Sequence, residues 1–188
     1  ITLSSASGFE SIESIVTEEK ELHTWNETSL DEPAVIIFTS AMDGYALGAT
    51  LSHGNLTRSA AITSKLFNDN GGKFVAVLPL FHAFGLTTSL IMPLLNSREI
   101  LLLPRFSPKK VITILARPDT GFITAVPAMY SILQNLLSYD RDYSHVTVWV
   151  SGGDFLPVSL QQWYLENYGI IIRQGYGLTE ASPIVTWN

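Results

Sequence analysis

Six short apolar runs, at 34–38, 74–78, 99–103, 121–125, 146–150 and 170–173, recur through this chain, and most lack the in-out alternation of a half-exposed strand. Strands that are apolar throughout belong in a parallel sheet covered on both faces. The segments between them carry helical signals. Ser107-Pro108 reads as an N-cap and first-turn proline ahead of Val111, Ile112, Ile114 and Leu115. Met129, Ile132, Leu133, Leu136 and Leu137 follow the spacing of one apolar helix face, and Leu160, Trp163 and Tyr164 repeat it after Pro157. Runs and helices in this order predict an α/β fold: an open, mainly parallel sheet with helices on both faces and right-handed crossovers.

At 188 residues the chain can bury a sizeable core. Residues 1–33 are Ser- and Glu-rich with weak periodicity, and read as a peripheral N-terminal arm or the tail of an upstream subdomain. Asp31-Glu32-Pro33 punctuates the chain, and 34–188 reads as the central α/β unit. Charged residues make up only 15%, which suggests surfaces that meet further polypeptide of a longer parent. A net charge of −6, with no basic run beyond Lys109-Lys110, argues against a nucleic-acid partner. With no cysteine there is no disulfide and no thiolate metal site. The N-terminus lacks the basic and apolar regions of a signal peptide. Leu78 to Leu95 is long enough to span a bilayer, but Pro79, His82, Gly85 and Pro93 favour a buried strand followed by a buried helix.

Ligands of an open α/β sheet bind beyond the carboxyl ends of its strands. Segments around Thr39, Pro79, Gly152 and Tyr176 each follow a strand-like run, so all four are expected on one edge. The most informative is Gln174-Gly175-Tyr176-Gly177-Leu178-Thr179-Glu180. Its glycines let backbone approach a ligand, Tyr176 offers a flat face, Thr179 can donate to a phosphate oxygen, and Glu180 suits a hard cation such as Mg²⁺. Alone, the heptapeptide could also be a Gly-rich turn with an ordinary Thr-Glu pair, the lesser of the two readings. Ser151-Gly152-Gly153-Asp154 after one run and Phe38-Thr39-Ser40 after another weigh against that.

These segments, with Pro79-Leu80-Phe81-His82 between them, resemble the adenylate-forming (AMP-binding) superfamily from about Asp31 onward. Gly-Tyr-Gly-Leu-Thr-Glu-Ala-Ser-Pro at 175–183 looks most like its fatty acyl-CoA synthetase branch. The resemblance implies a cytoplasmic ligase, drawn to membranes only through a fatty substrate, that uses ATP, Mg²⁺ and coenzyme A. By the same resemblance Tyr176 stacks on adenine, and the backbone of Gly152, Gly153 and Asp154 covers the other face. Gln174 meets the adenine edge, with Gly175 and Gly177 shaping the turn. Thr179 binds phosphate, Glu180 holds Mg²⁺, and His82 lies beside the reacting carboxylate. A lone histidine in an apolar stretch is more often a hydrogen-bonded core residue; in this motif function is favoured.

The first motif departs from the family pattern Thr-Ser-Gly-Thr-Thr-Gly, any residue, Pro-Lys-Gly. Thr39, Ser40, Gly44 and Gly48 survive; Ala41, Met42 and Asp43 replace a glycine and two hydroxyls, and Ala46-Leu47 replaces Pro-Lys. An Ala forced to positive φ costs on the order of 1–2 kcal/mol. A lost charge-assisted Lys–phosphate bond costs roughly 1.5–3 kcal/mol. A carboxylate about 4 Å from a phosphate is repelled by around 4 kcal/mol at an effective dielectric near 20. Three readings follow: an acid–CoA ligase, an adenylating enzyme with another acceptor, or a non-catalytic homologue that keeps an acyl- or nucleotide-binding module.

Overall fold

The computed structural model describes residues 27–40, 45–67 and 71–188. Its strands are β1 (Pro33–Ser40), β2 (Ala46–Ser52), β3 (Lys73–Ala76), β4 (Ile100–Leu102), β5 (Thr120–Ala125), β6 (Val148–Ser151), β7 (Ile172–Gly177) and β8 (Ile184–Trp187). The helices are α1 (His53–Lys65), α2 (Ala83–Leu86), a π-helical segment (Thr87–Ile91), α3 (Met92–Leu95), α4 (Pro108–Leu115), α5 (Pro127–Gln134) and α6 (Val158–Tyr168). The main sheet has the order β4-β3-β5-β6-β7-β8 and is parallel from β4 to β7, as the apolar runs predicted.

Burial on both faces explains why those runs do not alternate. Phe74, Phe122, Val148 and Val150 point to one face, where they pack with Ala60 of α1, Phe67, Phe84 and Met92. Val75, Ile123, Trp149 and Ile172 point to the other, against Val111 and Leu115 of α4, Tyr130 and Leu133 of α5, and Leu160 and Tyr164 of α6. Two buried hydroxyls fix the helices to the sheet: Tyr130 Oη donates to the Val150 carbonyl and Tyr164 Oη to the Tyr130 carbonyl, both at 2.8 Å.

The sequence reading needs correction at both ends of the sheet. The run at 34–38 does not join the parallel sheet. It extends to Ser40 and pairs antiparallel with β2, Phe38 opposite Gly48 and Thr39 opposite Leu47. Part of the segment read as a ligand loop is therefore strand, because Ala46–Ser52 pairs along β1 before α1 begins. At the other end β7 continues through Gly177 and pairs antiparallel with β8, so the Gly-Tyr-Gly motif lies in a strand rather than after one.

The helices carry smaller differences. Ser107 precedes α4 but its side chain makes no capping bond. Helix α5 ends at Gln134, before Leu136 and Leu137, and Ile132 is exposed. Helix α1 was not anticipated, although Ser52 and Asn55 form a reciprocal capping box at its start. Residues 78–95 contain an exposed turn at 79–82 followed by short, largely buried helical segments, and no described helix is long and apolar enough to cross a membrane. Most of the arm at 1–33 lies outside the described residues; near its end, Gly54 N and His53 N of α1 donate to the carbonyls of Leu30 and Glu32.

Charge gathers at the amino ends of the strands. Lys73 bridges Glu99 at 2.8 Å and Asp119 at 3.1 Å, and Arg117 meets Asp119 at 2.8 Å. Hydrogen bonds from Arg117 and then Lys73 hold the Asp119 carboxyl at about 2, below its ordinary 3.8. A carboxylate depressed on folding stabilises the fold above its unfolded value and loses that contribution as pH falls through the folded one. Urea midpoints measured from pH 5 down to about 2 should therefore fall more steeply for the unaltered chain than for Asp119→Asn, with the difference developing below about pH 4.

Candidate functional site

The register of the sheet aligns the glycine motifs. Ala125 pairs with Ser151 and Ser151 with Gln174, so the next residues, Gly152 and Gly175, emerge side by side at the carboxyl ends of β6 and β7. Above them opens a cavity of about 590 Å³. Thr39, His82, Gly152, Gly153, Gly175, Tyr176, Gly177, Thr179 and Glu180 all line it. Convergence on one edge is thus as expected, although Thr39 arrives from the separate β1-β2 hairpin rather than from the main sheet.

Each wall has a local cause. Gly153 has φ +80°, a left-handed conformation that costs a side chain on the order of 1–2 kcal/mol. The ring of Phe84 packs against Gly152, where an added Cβ would come within 2.9 Å of it. His82 sits at the start of α2, and its Nδ1 accepts from Phe84 N at 3.1 Å. Nδ1 is then the acceptor nitrogen, which assigns the ring hydrogen to Nε2 in the neutral imidazole. The null fate of a buried core histidine does not apply, because His82 is exposed and faces the cavity.

Thr179 and Glu180 stand on a tight turn. Leu178 N donates to the Pro183 carbonyl at 2.8 Å, Ala181 N to Leu178 at 3.0 Å and Ser182 N to Thr179 at 3.2 Å. Thr87 of the π-helical segment donates to the Ser182 carbonyl from a fully buried position, tying the turn to the interior. Thr88 and Ser89 meet Thr124 of β5 just beneath, so the buried hydroxyls there are mutually satisfied.

Other anticipated residues fall outside the cavity lining. Gly48 pairs within the hairpin opposite Phe38. Gln174 lies in β7, its backbone exchanging hydrogen bonds with Asn188. Asp154 is exposed and its carboxylate accepts from Phe155 N, consistent with a backbone rather than a side-chain use of this position. Ser40 ends β1. Ala41, Met42, Asp43 and Gly44 lie outside the described residues.

Leu47, Phe84, Leu178, Pro183, Ile184 and Trp187 also line the cavity and were not anticipated. Phe84 stands two residues beyond His82, which was the available signal. Ile184 and Trp187 depend on the β7-β8 pairing, which a reading that ended its last strand at residue 173 does not contain. Among the described residues no three His, Cys, Asp or Glu form a metal cluster. A divalent cation here would rest on Glu180 and on oxygens of a bound phosphate, which is the usual manner of Mg²⁺.

The sequence profile described as AMP-binding enzyme matches residues 2–188. Feruloyl-CoA synthase of Amycolatopsis sp is 31% identical over 161 residues, covering 82% of this chain and 32% of that protein. The medium-chain fatty-acid–CoA ligase of Escherichia coli (strain K12) is 29% identical over 180 residues, 95% of this chain and 32% of its own length. The crystal structure of apo MatB from Rhodopseudomonas palustris superposes with a TM-score of 0.84 at 23% identity, over 95% of this chain and 35% of that one. The ATP-bound form of MatB superposes with a TM-score of 0.76 at 25% identity, over 86% and 32%. The chain spans about a third of the length of the curated relatives it matches.

Two substitutions separate packing from exposure at this site. A Cβ at residue 177 would overlap the Pro183 carbonyl that holds the turn, so Gly177→Ala should cost about 1–3 kcal/mol in chemical denaturation. Tyr176 is 61% exposed, and Tyr176→Ala should change stability by less than about 0.5 kcal/mol while removing one wall of the cavity.

Proposed function

The chain belongs to the AMP-binding enzyme family, and from that premise we propose that it is part of the large N-terminal domain of an acid–CoA ligase. The ligase joins a carboxylic acid, fatty acids among them, to the α-phosphorus of ATP and then passes the acyl group to coenzyme A. In the first step a carboxylate oxygen attacks that phosphorus and the bond to pyrophosphate breaks. In the second, the thiol sulfur takes the acyl carbon and AMP leaves. The observation that carries this reading is a single cavity gathering Thr39, His82, Tyr176, Thr179 and Glu180 over the neighbouring glycines at 152 and 175.

The residues divide the work by chemistry. Tyr176 presents an exposed aromatic face for adenine, and the Gly152-Gly153 backbone lines the same cavity and would cover the other face of the ring. Asp154 would continue that backbone wall, and Gln174, in β7, would meet the adenine edge. Thr179 donates its hydroxyl to a phosphate oxygen, and Thr39 of the first motif lines the same cavity from β1. Glu180 is the carboxylate for Mg²⁺, which when bound neutralises developing charge on the phosphates. His82 offers Nε2–H as a donor toward the reacting acid.

A second reading has a specific observation in its favour. No Lys or Arg lines the cavity among the described residues, and Leu47 stands there where the family motif has its lysine. A homologue that binds an acyl group or nucleotide without turnover would show the same lining.

Acid-dependent exchange of pyrophosphate into ATP by the full-length protein decides between the two. The ligase reading expects exchange with fatty or aromatic acids, a thioester when coenzyme A is added, and loss of both on chelation of Mg²⁺. Glu180→Gln should lower Mg²⁺-dependent turnover by about tenfold or more, since a charge-assisted contact contributes roughly 1.5–3 kcal/mol. Binding of ATP with no exchange for any acid would leave the non-catalytic reading standing.

A further inference from the structure

A second cavity, of about 530 Å³, lies against the first and shares Glu180, Ile184 and Trp187 with it. It runs between α1 and β8 and is the place where the described structure brings a cationic side chain next to the site. Arg58 is the single Lys or Arg in the lining of either cavity among the described residues. Among the described residues the first cavity therefore combines a carboxylate, Glu180, with a proposed polyanionic ligand and no lining cation.

We propose that Arg58 supplies the missing positive charge, reaching the β- and γ-phosphates of the bound nucleotide past the Glu180 turn. The inference rests on the ligase or nucleotide-binding reading of the cavity. Arg58 lies in α1, just beyond the capping box at Ser52 and Asn55 that fixes the start of the helix. Strand β2 leads directly into α1 and also touches the 179–181 turn, so helix and turn are held together by the backbone rather than by chance contact. Arg58 is exposed and has no ion-pair partner among the described residues. A guanidinium suits this task because its planar fork meets two phosphate oxygens at once. It also acts beside a metal held by Glu180 rather than in place of it, since the two cations would approach the phosphates from different walls of one boundary.

The test compares ligands that differ only in their phosphates, bound to the full-length protein in the presence of Mg²⁺ and measured by titration calorimetry. Arg58→Ala should weaken ATP and inorganic pyrophosphate about ten- to hundredfold, while AMP changes by less than about twofold. Adding Leu47→Lys to the Arg58→Ala protein should restore most of the ATP affinity, because residue 47 already lines the cavity. Equal ATP affinity in the two proteins would overturn the proposal, and so would parallel weakening of ATP and AMP, which marks a structural fault. An unaltered protein that binds neither nucleotide would remove the proposed function itself, and this inference with it.

Discussion

Burial of both faces of β3, β5 and β6 is the constraint on which the rest of the structure depends. A strand packed against helices on each side has no polar face to spare, and neighbours of this kind align in parallel through helical crossovers. Parallel alignment has a directional consequence that an antiparallel sheet lacks. Every carboxyl end leaves the sheet on the same edge, so the residues following Ala125, Ser151 and Gln174 meet there without any further device. The cavity over Gly152 and Gly175 follows from the core, because helices cover the faces and leave only the strand ends open.

The two edges of the sheet are built to opposite specifications. At the amino edge, Lys73, Glu99, Arg117 and Asp119 pair among themselves in partly exposed positions, where such bridges contribute little individually. At the carboxyl edge the chain places glycines, one aromatic face and one carboxylate. Tight turns hold their backbone, while Tyr176 and Glu180 remain exposed. Stability is thus concentrated in the helix-covered layers, and the ligand edge is held by hydrogen bonds from within, such as Thr87 to Ser182. A site supported from below can present unpartnered side chains above.

The parallel core was legible because apolar runs without alternation admit few alternatives, and the heptapeptide at 174–180 was legible because its residue types suit no core strand. The β1-β2 hairpin was hidden by its own motif: Thr39 and Ser40 look like loop residues, yet they complete a strand whose partner begins only at Ala46. Strand β8 was hidden because Ile184–Trp187 is short, and its pairing depends on the turn at 178–183 rather than on its own pattern. Apolar lining residues such as Trp187 could not be told from core by periodicity, since Trp187 both faces the cavity and packs edge-on against Phe67 at 5.0 Å. Tertiary pairing, absent from local sequence, decides which apolar residues see the ligand.

Charge balance then limits what the cavity can hold. A polyphosphate brought beside Glu180 with no counter-charge would be repelled, and the repulsion grows where protein excludes water. Neutrality has to come from a divalent cation, from a protein cation, or from both. Glu180 alone favours the first, because one carboxylate together with phosphate oxygens is a normal Mg²⁺ environment. Leu47 contributes no charge and no Lys or Arg lines the first cavity among the described residues, while Arg58 stands across the shared wall in the second. The altered first motif and the position of Arg58 therefore bear on one question: whether this part of the chain brings a cation to a phosphate ligand.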